Sequence, residues 1–295
     1  RQRFASRQPS RAGTRRVILW ADTFNNHFHP TTAEAAVEVL EAAGYRVEVP
    51  EGHLCCGRPL YDYGMLGLAK RLLRQVMSAL EPEIEAGVPI VGLEPSCVAV
   101  FRDELPNLFP DNQVAQRLSK QVFTLGEFLA NDGYHPPTLT RKAVVHGHCH
   151  QKALMGMGDD EAVLSRMGLE YEVLDSGCCG MAGSFGFEKE HYGVSIAVGE
   201  RVLLPAVRAA GNGTLVVADG FSCREQIAQT TDRRALHLAE VIQMALRSDA
   251  GETGSIVVAP PEEPPARLGT ATKLVLLATA VASVAALVRN IRRPH

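Results

Sequence analysis

Short apolar runs rich in β-branched residues alternate along this chain with longer amphipathic stretches. The short runs predict strands at 16–20, 45–49, 89–93, 142–146, 169–174 and 214–220. The amphipathic stretches predict helices at 32–44, 65–87, 160–168, 188–211 and 234–247, the second of them broken or kinked at Pro82. Because strands and helices alternate, we expect an α/β fold in which parallel sheets are covered by helices.

The order of these elements starts again near residue 136, and the spacing of matching positions indicates a duplication. Three pairs of positions lie 126 residues apart: Ile18 with Val144, Thr23 with Cys149, and Cys97 with Cys223. The pair Cys55–Cys56 lies 123 residues before Cys178–Cys179, so one loop differs by three residues. We expect two pseudo-repeated halves, 15–135 and 136–247, each a small, mostly parallel sheet with flanking helices.

The segments outside the repeat differ from it in composition. Residues 1–14 form a basic arm that we expect to be a linker, and residues 248–269, rich in Gly, Pro and Glu, predict a second linker. Residues 270–295 predict an apolar helix with a basic tail, because 274–288 contain no charge. If this helix crossed the membrane once, its basic tail would end outside the cell, against the usual preference of positive charge for the inner side. We therefore expect the helix to lie at the inner membrane surface. Packing on a protein partner is the alternative.

Composition narrows the class of protein. A content of 46% hydrophobic and 21% charged residues is typical of a soluble globular domain, and a net charge of −3 gives no reason to expect nucleic acid as a partner. Seven cysteines in 295 residues, an odd number, argue against a disulfide framework, so we expect reduced thiols in the cytoplasm. The chain begins at Arg1 without Met, and we expect it to be the C-terminal part of a longer polypeptide.

Cysteines follow predicted strands in both halves. They are Cys149, Cys178, Cys179 and Cys223 in the second half, and Cys55, Cys56 and Cys97 in the first. Because ligands bind at the carboxyl edge of parallel sheets, we expect each set to converge there. Thiolates are soft ligands, and three or four together select zinc, copper(I) or an iron–sulfur centre. Glycines beside each Cys–Cys pair would let the backbone approach a bulky inorganic core.

Spacing alone leaves three interpretations of these thiols. Buried structural cysteines do not account for a duplicated Cys-Cys-Gly with a downstream Cys at a matching offset. Zinc modules use C-x₂₋₄-C pairs, which are absent, and so is the ferredoxin run C-x₂-C-x₂-C-x₃-C-P. We therefore favour an iron–sulfur centre and keep zinc as the alternative.

The motifs HGHCHQKA, SGCCGMAG and GFSC, echoed by HLCCGRP and EPSC, resemble the CCG or cysteine-rich domain. That domain is found in the heterodisulfide reductase B subunit, the glycolate oxidase iron–sulfur subunit and lactate-utilisation proteins. It also occurs in single-chain FAD-linked oxidases, behind a ferredoxin-like segment. The resemblance covers about residues 15–247 and implies [4Fe-4S] clusters held by a Cys … Cys-Cys-Gly … Cys-x-x-Cys pattern in each half.

Both halves depart from that pattern. The second half keeps Cys149, Cys178, Cys179 and Cys223, with Gly220 in place of a fifth Cys, and the resemblance implies one [4Fe-4S] cluster there. The first half keeps Cys55, Cys56 and Cys97, with Thr23 and Glu94 in the other two places. A second cluster in the first half would need Glu94 or a histidine such as His53, or would leave an open site.

Three histidines flank Cys149. If the strand continues beyond residue 146, His146, His148 and His150 share one face and Cys149 points to the other. One of them would then donate a hydrogen bond towards the cluster or relay protons to a quinone. Loop histidines that make only local hydrogen bonds are the alternative.

The resemblance implies the electron-transfer domain of an FAD-dependent 2-hydroxyacid dehydrogenase of the glycolate or D-lactate type. This chain has no G-x-G-x-x-G fingerprint, so the FAD would belong to another domain or subunit, and no catalytic residue is assigned here. Electrons would pass from a ferredoxin-like domain through this one to a quinone or membrane acceptor at the inner face of the cell membrane. The alternatives are a zinc- or cluster-stabilised partner-binding module and a heterodisulfide reductase-like thiol–disulfide reductase.

Overall fold

The computed structural model of this chain describes residues 13–251. The predicted basic arm, second linker and apolar helix lie wholly or almost wholly outside these residues. Within 13–251, no helix combines the length and the apolarity that a membrane crossing needs.

The first half contains a four-stranded, fully parallel sheet with the order β2-β1-β3-β4. Its strands are β1 (Arg15–Trp20), β2 (Tyr45–Glu48), β3 (Ile90–Gly92) and β4 (Val122–Thr124). Its helices are α1 (Thr23–His27), α2 (Pro30–Ala42), α3 (Arg58–Asp62), α4 (Leu66–Ala79), α5 (Glu81–Glu85), α6 (Pro95–Ala99), α7 (Leu105–Leu108), α8 (Gln113–Gln121) and α9 (Leu125–Asn131). The predicted break near Pro82 is confirmed, because α4 ends at Ala79 and α5 takes Pro82 into its first turn.

The second half contains a three-stranded parallel sheet with the order β6-β5-β7. Its strands are β5 (Lys142–Val145), β6 (Glu170–Val173) and β7 (Leu215–Val217). Its helices are α10 (Cys149–Leu154), α11 (Gly158–Arg166), α12 (Tyr192–Gly199), α13 (Leu203–Ala209), α14 (Phe221–Thr230) and α15 (Leu238–Asp249). Leu236 makes a single parallel bridge to Val217, where the first half has β4. The predicted α/β class and the duplication are both confirmed.

The two halves share one hydrophobic core. Val17 and Leu19 of β1 lie in the same buried cluster as Val145 of β5 and Val217 of β7. Helix α2 of the first half packs against α15 of the second, and α9 of the first packs against α11 of the second. The opposite face of each sheet is also buried, in a separate core, which explains why the central strands are continuous apolar runs.

Two predicted helices differ from the structure by more than a shift of about two residues. The single helix predicted at 188–211 is wrong, because two helices, α12 and α13, occupy that stretch and residues 200–202 separate them. Pro205 explains the break: it cannot donate an N–H to a preceding turn, so it is accommodated in the first turn of a new helix. The last helix begins at Leu238 rather than 234, since His237 and Glu240 form a capping box there.

Candidate metal centre

The four cysteines of the second half converge at the carboxyl edge of its sheet, as predicted. Cys149 is the first residue of α10, Cys178 and Cys179 lie in the loop after β6, and Cys223 lies in the first turn of α14. Their side chains form a continuous series of hydrogen-bond contacts in the order Cys149, Cys178, Cys179, Cys223. Cys179 and Cys223 are buried, and the other two are half-buried.

The pKa values of these four thiols are shifted in different directions. Hydrogen bonds from Cys149 and Cys179 lower the pKa of Cys178, and a hydrogen bond from Cys179, with a smaller contribution from His146, lowers the pKa of Cys223. The pKa values of Cys149 and Cys179 rise correspondingly, because their thiols donate these bonds and are desolvated. Cys178 and Cys223 are therefore the thiols that ionise more readily, and a soft cation that bound here would release the protons of the set.

His146 is buried against this site. Its Nδ1 is 2.7 Å from Ser176 Oγ, while its Nε2 is buried without a hydrogen-bond partner of normal geometry and is oriented so that it lowers the pKa of Cys223. A buried polar atom left without a partner is costly unless another group satisfies it. Four thiols together with one such nitrogen fit a soft metal or iron–sulfur centre.

The strand does not continue through the histidines, so the condition for a shared strand face is not met. Strand β5 ends at Val145, and α10 begins at Cys149 because His148 caps it: the His150 N–H donates to His148 Nδ1 over 3.2 Å. The three histidines therefore do not share a strand face. The rings of His148 and His150 stack with centroids 5.3 Å apart, and their ring nitrogens lie within 4.8 Å of each other and of Cys149 Sγ. Burial, with the charges of Arg58 and His148, lowers the pKa of His150.

The first half repeats this geometry with three thiols. Thr23 is the first residue of α1, as Cys149 is of α10, and its side chain hydrogen-bonds to Cys55. Cys55 contacts Cys56, whose Sγ is 3.1 Å from Cys97 Sγ. The order Thr23, Cys55, Cys56, Cys97 thus matches the second-half series, with a hydroxyl in place of the leading thiol.

Glu94, predicted as a ligand for the first half, is buried with both of its oxygens already engaged. Oε1 accepts the Ser96 N–H at 3.2 Å and its O–H at 2.8 Å, and Oε2 accepts the Phe221 N–H at 2.8 Å. These bonds orient the carboxylate towards two helix N-termini rather than offering it to the thiols. His53, the other predicted candidate, is exposed in the loop before Cys55.

Two buried acids surround the first-half thiols. Asp22, the cap of α1, stands where the second half has His148, and burial together with the charge of Glu94 raises its pKa. A hydrogen bond from Cys56 lowers the pKa of Cys97, but burial and the charges of Asp22 and Glu94 outweigh it and raise that pKa. The buried acids of the first half therefore oppose ionisation of Cys97, whereas the pKa of its counterpart Cys223 is lowered.

One of the two glycines beside the Cys–Cys pair also has a packing role. Gly180 has a φ of +99°, and a Cβ there would overlap the carbonyl oxygen of Ser195 in α12. Its lack of a side chain allows a left-handed turn and close helix packing. Gly177 faces open space. At Gly220 a Cβ would overlap the His148 ring, so the ring occupies the room of the missing fifth cysteine.

Lys152 and Ser176, which the sequence pattern did not single out, hold the loop before the Cys–Cys pair. Lys152 Nζ donates to the carbonyl oxygens of Ser176 and Gly177, the second at 3.2 Å. Lys152 follows Cys149 within the motif HGHCHQKA, so its position one turn along the helix could have drawn attention to it. Ser176 likewise opens the motif SGCCGMAG, two residues before Cys178.

Comparison with known proteins agrees with this site. The CCG cysteine-rich domain matches residues 22–102 and 148–228, which together exceed half of the chain, lie 126 residues apart and contain all seven cysteines. Lactate utilization protein A of Bacillus velezensis is 33% identical over 243 residues, covering 77% of this chain and 98% of the relative.

Two longer relatives match over part of their length. One component of the anaerobic glycerol-3-phosphate dehydrogenase of Escherichia coli is 32% identical over 235 residues, which cover 78% of this chain and 59% of that protein. The D-2-hydroxyglutarate dehydrogenase of Pseudomonas putida is 28% identical over 231 residues, which cover 77% of this chain and 22% of that protein. With its duplicated match and its two thiol sets at equivalent sheet edges, this chain belongs to the CCG cysteine-rich domain family.

Proposed function

We propose that this chain is the iron–sulfur electron-transfer part of an FAD-dependent 2-hydroxyacid dehydrogenase. The observation that carries the proposal is the continuous series of four thiols at one sheet edge, next to a buried histidine nitrogen without a hydrogen-bond partner of normal geometry. The chain is an oxidoreductase component, as its relatives are. Lactate and D-2-hydroxyglutarate, named in two of those relatives, are 2-hydroxy acids, which supports this substrate class.

In the second half, different residues would act as ligands of such a centre and as hydrogen-bond partners beside it. Cys149, Cys178, Cys179 and Cys223 would supply thiolate ligands, and the cluster would supply one-electron transfer when bound. His146, with Nδ1 held by Ser176, interacts with the Cys223 thiol. A donor N–H in that place stabilises added negative charge, so it favours electron uptake.

The proposal includes the electron donors and the electron acceptor of this chain. FAD would be held by another domain or subunit, and a ferredoxin-like domain would deliver electrons to this chain. The partial coverage of the two longer relatives supports further domains or subunits. A quinone or membrane acceptor would receive the electrons at the inner face of the cell membrane, and the uncharged stretch 274–288 supports that location.

Metal and sulfide analysis of the anaerobically purified chain tests this proposal. We expect about four irons and four acid-labile sulfides per chain, the content of one cubane cluster. We also expect a paramagnetic signal that changes on reduction with dithionite. Stoichiometric zinc without sulfide would instead establish the structural zinc module and exclude electron transfer by this site.

A further inference from the structure

Helix α14, which carries Cys223, is seated on the first half of the chain. Arg224 donates to Thr32 Oγ1 at 2.9 Å and to Asn25 Oδ1 at 3.0 Å, and all three side chains are buried. The ring of Phe221 stacks on that of Phe24 with centroids 4.2 Å apart. The last ligand of the proposed centre is therefore positioned by contacts from outside its own half.

Glu94 holds the first residue of α14, two positions before Cys223. It is 2% exposed, and its carboxylate joins the N-termini of two helices: Oε1 accepts from Ser96 in the first turn of α6, and Oε2 accepts from Phe221, the first residue of α14. The first N–H groups of a helix have no partner within it, and a carboxylate there also stabilises the helix dipole.

The two helices joined by Glu94 are equivalent in the repeat. Cys97 is the third residue of α6, and Cys223 is the third residue of α14. Glu94 caps α6 from its own half, but its counterpart Gly220 has no side chain with which to cap α14. The His148 ring fills the space that such a side chain would need. Helix α14 therefore takes its cap from the other half.

We propose that Glu94 is a positioning residue for the centre of the second half: it fixes the N-terminus of α14, and with it the Cys223 sulfur, from across the repeat. This inference rests on the proposed iron–sulfur function. It assigns to Glu94 a role different from that of a ligand in the first half. A single carboxylate thereby couples both thiol sets to one another.

The variant Glu94→Gln, made in the full chain, tests whether Glu94 fixes the N-terminus of α14 or is only a buried side chain. A side-chain amide has only one acceptor atom, so the variant cannot accept at both helix ends. In the iron-free protein we expect the Phe221 amide to exchange with deuterium at least about tenfold faster. In the iron-loaded protein we expect a higher midpoint potential with the iron content retained, because a carboxylate near the N-terminus of α14 has been replaced by a neutral group.

Two variants serve as controls. Glu127→Gln changes another partly buried first-half glutamate, one that pairs with Arg102 at 3.0 Å, and should leave both measurements unchanged. Ser96→Ala removes a bond on the α6 side alone and should leave Phe221 exchange unchanged. If Glu94→Gln does not fold, Glu94→Asp, whose shorter reach loses one helix end, takes its place.

The outcomes distinguish this inference from the proposed function. A wild-type chain without iron and sulfide would overturn the electron-transfer proposal, and Phe221 exchange in the metal-free protein would still test the cap. Unchanged exchange and an unchanged potential in Glu94→Gln would overturn the positioning role even if the cluster is present. A shift of equal size in Glu127→Gln would also overturn it.

Discussion

The two halves of this chain place cysteines at equivalent positions but surround them with different buried groups. In the first half, the thiols lie beside the buried acids Asp22 and Glu94. In the second half, the positions of those acids are taken by His148 and Gly220, and His146 lies against Cys223. An anionic metal–sulfur centre is stabilised by N–H donors and destabilised by buried carboxylates. Counting thiols is therefore not enough, because the buried groups around them determine which half suits the centre.

The largest expected effect is on metal content. Cys178→Ser should lose nearly all bound iron, at least about tenfold, because it removes the central member of the thiol series. Its counterpart Cys55→Ser should retain the wild-type iron content, since we place the centre in the second half only. Iron and sulfide assays on both variants check this. An equal loss in Cys55→Ser would show that the halves are functionally alike.

The next largest effect is on the free energy of unfolding. It differs between Gly180 and Gly57, the two glycines that follow the cysteine pairs. Gly180→Ala should lower the free energy of unfolding by about 3 kcal/mol or more, because it combines a left-handed φ with overlap on Ser195. Gly57→Ala should cost only about 1 kcal/mol, since its φ of +81° is strained but the nearest atom, Ala69 Cα, lies 3.5 Å from the added Cβ. Urea denaturation of both variants measures the difference, and equal costs would contradict the packing role of Gly180.

A third prediction concerns the position of the missing fifth cysteine. Gly220→Cys should destabilise the fold by about 1–3 kcal/mol, because the new side chain competes with the His148 ring for the same space. Adding His148→Ala should recover part of that loss, so the two changes are not additive. A double-mutant cycle by chemical denaturation checks the coupling, and strict additivity would show that the ring does not fill this space.

The smallest expected effect is on the pH dependence of stability, and it arises at the contact between the halves. A hydrogen bond from His29, at 3.0 Å, lowers the pKa of Glu225 on α14. Because the folded-state pKa is below the unfolded value, this stabilisation is present above the unfolded value of about 4.3 and is lost as the pH falls through the folded value. Glu225→Gln should therefore cost about 0.5–1 kcal/mol at pH 7 and little at pH 3.

Urea denaturation at the two pH values measures this effect. Gln229→Ala is a matched control, because Gln229 bonds the same carboxylate at 3.3 Å without a charge of its own. A cost of Glu225→Gln that stays constant between pH 7 and pH 3 would show that the charge of Glu225 does not join the halves.

Much of the fold followed from the sequence, and the exceptions have local causes. The six predicted strands are all present, and the central ones are apolar runs buried on both faces of a parallel sheet. The helix predicted at 188–211 was wrong since Pro205 restarts it, and Cys223 lies on a helix, α14, whose apolar pattern was too weak to predict. The strand stops before His148 because the side chain of His148 caps the next helix, which a backbone pattern does not reveal.

The sequence by itself determined the duplication, the α/β class and the convergence of each cysteine set, because carboxyl ends of parallel strands meet at one edge. Only the tertiary structure decided what surrounds each set. The bonds that Phe221 donates to Glu94 and Arg224 donates to Asn25 each join residues more than 120 positions apart. Such contacts arise from the packing of one half on the other, and no local periodicity records them. The charge difference between the two sites is therefore a property of the assembled fold.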